Sequence, residues 1–192
     1  MERHVMWVPW EEPGLEHLRL IHNNENIIAD SMILGVYQQV PFRVQYEIRC
    51  DSSWRLRSVQ LSLLSHSPQA IHLSTDGKGT WTNETGEVIS TLSRCLDVDI
   101  SATPFTNTLP IRRLALRPGM SSTLNMIYIA VPQLQIAVVE QRYTCLEVTH
   151  HGGHYRYESL NNGVSWYTAE LPVDGDGLVI DYPGLFKRVG TW

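Results

Sequence analysis

A period of two recurs along almost the whole chain, and it constrains the fold more than any single motif. Phe42, Val44, Tyr46 and Ile48 alternate with Arg43, Gln45, Glu47 and Arg49. Leu124, Met126, Tyr128 and Ala130 alternate with Asn125, Ile127, Ile129 and Val131. Such alternation puts successive side chains on opposite faces of an extended strand. Turn-forming clusters punctuate the runs, among them Asn23–Asn26, Asp76-Gly77-Lys78-Gly79, Asn161-Asn162-Gly163 and Asp174-Gly175-Asp176-Gly177. Composition agrees: Val, Ile and Thr supply 42 residues against seven Ala and two Lys, so few strong helix formers remain. The expectation is one mainly β domain over residues 1–192, with about 12–15 strands joined by hairpins in meander order.

A sheet that wide curls, splits or closes. Curled past ~8 strands, it is no longer filled by its own inward side chains, so a helix, a partner subunit or a ligand must occupy the concave side. Two segments carry specific expectations. Residues 4–10 read as an edge strand, because Pro9 lacks the N–H that a central strand needs. Residues 181–190 read as a short terminal helix, with Leu185, Phe186 and Val189 inside and Gly190 after.

Several function classes recede. A net charge of -5 and a pI near 5.9, with no basic block, argue against nucleic-acid binding. Three widely spaced cysteines, Cys50, Cys95 and Cys145, form neither a disulfide framework nor a metal knuckle and favour a reducing compartment. No signal-peptide pattern opens the chain and no run approaches ~18 apolar residues, so a cytoplasmic protein without stable membrane insertion is expected. His150, His151 and His154 stand around a glycine hairpin tip and read as solvated turn histidines, not zinc ligands. Nucleophile elbow, phosphate loop and dinucleotide fingerprint are all missing, and no cofactor is expected.

The unusual chemistry is concentrated in residues 95–116, CLDVDISATPFTNTLPIRRLAL. Asp97 and Asp99 alternate with Leu96, Val98 and Ile100, which points both carboxylates to one side of a strand, roughly 7 Å apart. Thr103-Pro104 can open a helix, with Pro110 stopping or kinking it. Asn107, Arg112 and Arg113 follow. The two acids can serve as a general acid and base, as binding groups for sugar hydroxyls, or as partners of Arg112 and Arg113 in a polar core.

The stretch DVDISATPFTNTLPIRRLAL, with YEIRCDSSWRLRSV upstream and DGKGTW, EQRYT and GLVIDYPGLFKRV around it, resembles the bacterial "putative glycolipid-binding" family, formerly a domain of unknown function. The resemblance spans nearly the whole chain. It implies a single large curled antiparallel sheet, a half-barrel, wrapped around a short helix. It also implies remote likeness to lipoprotein localisation factors, an acidic pocket and a homodimer. Placed on this sequence, the acidic pocket draws on Asp97 and Asp99, with Asp51 as a further acid and Asn107, Arg112 and Arg113 in support. Trp54 and Trp81 are sugar-stacking platforms or core residues.

The leading functional expectation is non-catalytic binding of a glycolipid or another sugar-bearing small molecule. The alternatives are a hydrolase acting on a sugar or lipid conjugate through Asp97 or Asp99, and a structural dimer that buries a sheet edge.

Overall fold

The structure, a computed structural model, describes residues 1–65 and 68–192. Among them the strands are β1 (Glu2–Pro9), β2 (Leu15–His22), β3 (Asn26–Tyr37), β4 (Val40–Asp51), β5 (Leu56–Leu63), β6 (Gln69–Thr75), β7 (Trp81–Thr82) and β8 (Cys95–Ile100). After one α-helix, α1 (Thr108–Leu114), come β9 (Ser121–Ala130), β10 (Gln135–Thr149), β11 (Gly152–Asn161), β12 (Val164–Asp174), β13 (Asp181–Tyr182) and β14 (Phe186–Thr191). Short 3₁₀ turns cover Ser90–Leu92 and Phe105–Asn107. The protein is thus mainly β, largely antiparallel, with one short helix.

The ladder divides in two where a single sheet is expected. Nine strands run in the order β13-β14-β1-β2-β3-β4-β5-β6-β7, and five in the order β12-β11-β10-β9-β8. The break falls between β7 and β8, which Trp81 bridges by donating its indole N–H to the Cys95 carbonyl at 2.8 Å. At the other end Asp174, closing β12, accepts from Arg3 of β1 at 3.1 Å and from Arg188 of β14 at 2.6 Å. Both sheets share one core, in which Val44, Ile48 and Leu61 join Val98, Ile127 and Ile129.

Among the described strands, one pair departs from the antiparallel pattern. β8 and β9 run parallel, Val98 opposite Ile127 and Ile100 opposite Ile129. A parallel pair cannot be joined by a tight turn and needs a crossover. Residues 101–120 are that crossover, and they contain the helix. Thr103 to Ile111 are buried without a break. Thr103 is not the N-cap its side chain predicts: Pro104 holds that place in the 3₁₀ turn, and the Thr103 hydroxyl, one residue earlier, accepts from the Phe105 amide at 3.0 Å. Phe105 lies against Tyr46, with ring centroids 6.3 Å apart, and Leu109 enters the shared core. Ile111 packs in a second cluster with Tyr143, Tyr157 and Leu171. Burying each of these apolar side chains contributes about 1.5–3 kcal/mol.

Three local expectations are corrected. Pro110 neither stops nor kinks the helix. It falls in the first turn of α1, where its missing N–H would have had no helical partner. Residues 4–10 are not an edge: β1 lies between β2 and β14, and Pro9 pairs only at the last rung, opposite Phe186. The chain end is the hairpin of β13 and β14, not a helix, with Gly184 at a φ of 76° in its turn. The free edge of β1 decides this, because Phe186 to Thr191 supply the partner it lacks.

Candidate functional site

The crossover sends the two acids of β8 to different fates. Asp97 is fully buried and bonded bidentately to Arg113 at the end of α1, with Nη2 to Oδ2 at 2.5 Å and Nε to Oδ2 at 3.0 Å. Burial pushes its pKa up while Arg113 pulls it back down. Asp99 is half-buried and meets no cation. Its Oδ2 accepts from the Gln141 amide at 2.6 Å and its Oδ1 from the Thr106 hydroxyl at 3.2 Å. Burial raises its pKa, with both neutral donors opposing.

Asp99 opens onto a cavity of about 460 Å³ between the crossover and the outer strands β9 to β14. Asn107 and Gln141 line it beside Asp99, and the rest of the wall is dominated by Tyr128, Tyr157, Trp166, Tyr167, Tyr182 and Phe186. Asn107 is oriented from both ends: its amide donates to the Pro104 carbonyl at 3.2 Å, and its Oδ1 accepts from the buried Tyr143 hydroxyl at 2.9 Å. The lining therefore combines one carboxylate and two amides with aromatic faces, and Trp166, 70% exposed, stands at its rim. A second cavity of about 360 Å³ adjoins it, sharing Ser101, Leu185 and Phe186.

Of the residues expected at the site, Asp99 and Asn107 come together here. Asp97 and Arg113 pair behind them. Arg112 turns away, its guanidinium 5.5 Å from the Trp54 ring centroid and 3.3 Å from the Gly175 carbonyl it donates to. Asp51 is the last residue of β4, accepting from the amides of Ser53 and Arg55 in the turn that follows and, at 2.7 Å, from Arg57. Trp54 and Trp81 are both core residues, and neither lines this cavity.

The aromatic wall, Gln141 and the acid Glu16 of the adjoining cavity escape a reading by motif. Strand parity is the signal that finds two of them. Glu16 shares its strand face with Leu18 and Leu20, and Gln141 shares its face with Tyr143 and Cys145, so each is a polar side chain at an inward position.

Among the described residues, no group of three or more His, Cys, Asp and Glu stands close enough to hold a metal ion. All three cysteines are free and buried. No helix is long and apolar enough to cross a membrane.

A family described as "Putative glycolipid-binding" matches residues 4–188. The chain belongs to that family. A crystal structure of a DUF1089 family protein from Pseudomonas aeruginosa is similar to it over 94% of this chain and 95% of that one, with a TM-score of 0.81 and 37% sequence identity. No curated protein matches the chain.

Proposed function

We propose that this family member binds a glycolipid or similar amphiphile without transforming it, seating the sugar in the Asp99 cavity. The carrying observation is a carboxylate braced by neutral donors in an otherwise aromatic wall. A pyranose offers vicinal hydroxyls along its edge and an apolar C–H surface on its face. Asp99, with the amides of Asn107 and Gln141, complements the first, and the rings of Tyr157, Tyr167 and Trp166 complement the second. The adjoining cavity, lined by Trp7, Ile33, Phe42 and Val131, suits an apolar chain. The family's name supports the same reading.

Binding is favoured over hydrolysis by the way the acids separate. Glycoside hydrolysis ordinarily uses two carboxyl groups flanking the scissile bond, about 5–9.5 Å apart. Asp97 is committed to Arg113, and Asp99 is the only carboxylate in the lining of its own cavity, Glu16 lining the adjoining one. Titration with n-octyl β-D-glucoside, followed by tryptophan fluorescence, tests the reading together with organic extraction of the purified protein and mass spectrometry. Saturable binding or a co-purifying amphiphile is expected. The absence of both octyl glucoside binding and an extracted lipid would refute it.

A further inference from the structure

The cavity beside the Asp99 site is apolar over most of its wall, with Trp7 from β1, Ile33 from β3, Phe42 from β4, and Ala102 and Val131. One buried acid interrupts it. Glu16 of β2 lines the cavity at 2% exposure, placed inward by the same parity that buries Leu18 and Leu20. Three hydroxyls donate to a single oxygen of its carboxyl. Ser31 reaches Oε1 at 2.9 Å, Tyr46 at 2.7 Å and Thr103 at 2.8 Å. The other oxygen, Oε2, has no partner, and it is the sole buried side-chain polar atom in that state among the described residues.

A buried carboxyl oxygen without a partner is costly, and native interiors rarely leave one. The three hydroxyls on Oε1 settle which oxygen is left buried and unpaired. Burial lifts the pKa of Glu16 to about 7 despite those donors, so near neutral pH Oε2 is present both bare and protonated. A hydroxyl gives its hydrogen to the first form and accepts one from the second. A carbonyl serves only the protonated form. Thr103 also lines the Asp99 cavity, so the carboxyl stands at the junction of the two spaces.

We propose that the two cavities are the halves of one site, and that Glu16 Oε2 receives a hydroxyl carried on the apolar chain of the ligand. This rests on the amphiphile reading above and deepens it: the ligand class is a sugar-headed amphiphile with a hydroxyl-bearing acyl or alkyl tail. Glu16 then selects among tails, while Asp99 recognises heads.

The test compares n-octyl β-D-glucoside with a series of its isomers carrying one added hydroxyl at successive carbons of the chain, titrated into the intact protein. A hydroxyl entering a purely apolar slot weakens binding, because it loses its water without replacement. Here at least one isomer is expected to bind about tenfold tighter than the parent, a gain of the size of one good hydrogen bond to a carboxyl group. Glu16→Leu is expected to erase that gain. If the parent binds and no isomer binds tighter, Oε2 holds a water alone and the proposal is overturned, with the amphiphile reading intact. A gain that survives in Glu16→Leu overturns it as well. If neither parent nor isomers bind the wild-type protein, the amphiphile reading falls first and takes the proposal with it. Should Glu16→Leu fail to fold, the wild-type series decides the matter by itself.

Discussion

Arg113 closes a bidentate ion pair on Asp97 across the crossover, with Nη2 2.5 Å from Oδ2, whereas Asp99, two residues further along the same strand, meets only neutral donors. The pair is nearly dry, the two side chains being 15% and 1% exposed. It fastens the last turn of α1 to β8 and neutralises the acid that would otherwise stand beside Asp99. One carboxylate thus belongs to the framework, and the other lines a cavity.

Breaking that pair from one side should be severe. Arg113→Met leaves the Asp97 carboxylate buried without its cation and is expected to destabilise the protein by about 3–5 kcal/mol in urea unfolding. The double variant Asp97→Leu/Arg113→Met removes both charges and should recover most of the loss. A double variant no more stable than the singles would show that the pair is not what secures this corner.

Asp99→Asn should separate binding from folding. Burial already favours the neutral form of Asp99, and an asparagine can accept from Gln141 while donating to the Thr106 hydroxyl. Stability is therefore expected within about 1 kcal/mol of wild type by thermal unfolding. Octyl glucoside affinity should fall by about tenfold or more, since a charged acceptor is lost. Unchanged affinity would place the sugar elsewhere.

Glu16 makes stability depend on pH in a definite direction. Its folded pKa is raised from 4.5 to about 7, so between those values the folded state holds a proton that the unfolded state has released. The stabilisation is complete below about pH 4.5, declines as pH rises, and is gone above about pH 7. Glu16→Gln, which cannot titrate, should lack this component. The difference in stability between wild type and variant should shift by on the order of 3 kcal/mol between pH 4 and 8, read by denaturant unfolding at each pH. A difference that stays flat would show that Glu16 titrates normally in the folded protein.

Trp166 offers the opposite case, a residue expected to matter for ligand and hardly at all for fold. It is 70% exposed at the rim of the Asp99 cavity. Trp166→Ala should change stability by no more than about 0.5 kcal/mol. Octyl glucoside binding should weaken several-fold, and most of the ligand-induced fluorescence change should vanish with the indole.

Strand alternation made most of this architecture legible. The inward faces of β2 and β4 and the turns at Asp76–Gly79 and Asp174–Gly177 follow from side-chain chemistry within a few residues. The misreadings of residues 4–10 and 181–190 share one cause. The helical spacing of Leu185, Phe186 and Val189 is real, but the open edge of β1 claims those residues for a ladder. Pro9 looks like an edge marker until β14 arrives on its side of the sheet and reaches it only at the final rung.

The site divides along the same line. Local order placed Asp97 and Asp99 on one strand, with Asn107, Arg112 and Arg113 close behind, and it defined the polar stretch as the place to look. Which acid would be neutralised depended on a guanidinium sixteen residues away in sequence, and which would face a cavity depended on Gln141 of another strand. Trp54 and Trp81 carry the chemistry of a sugar platform, yet the crossover and the sheet break turned them into core. Sequence alone determined the alternating strands, the turns and the inventory of polar groups, because those depend on neighbours in the chain. Tertiary structure decided which of those groups are paired and which left open, because burial and partnership are set by contacts that cross from sheet to sheet.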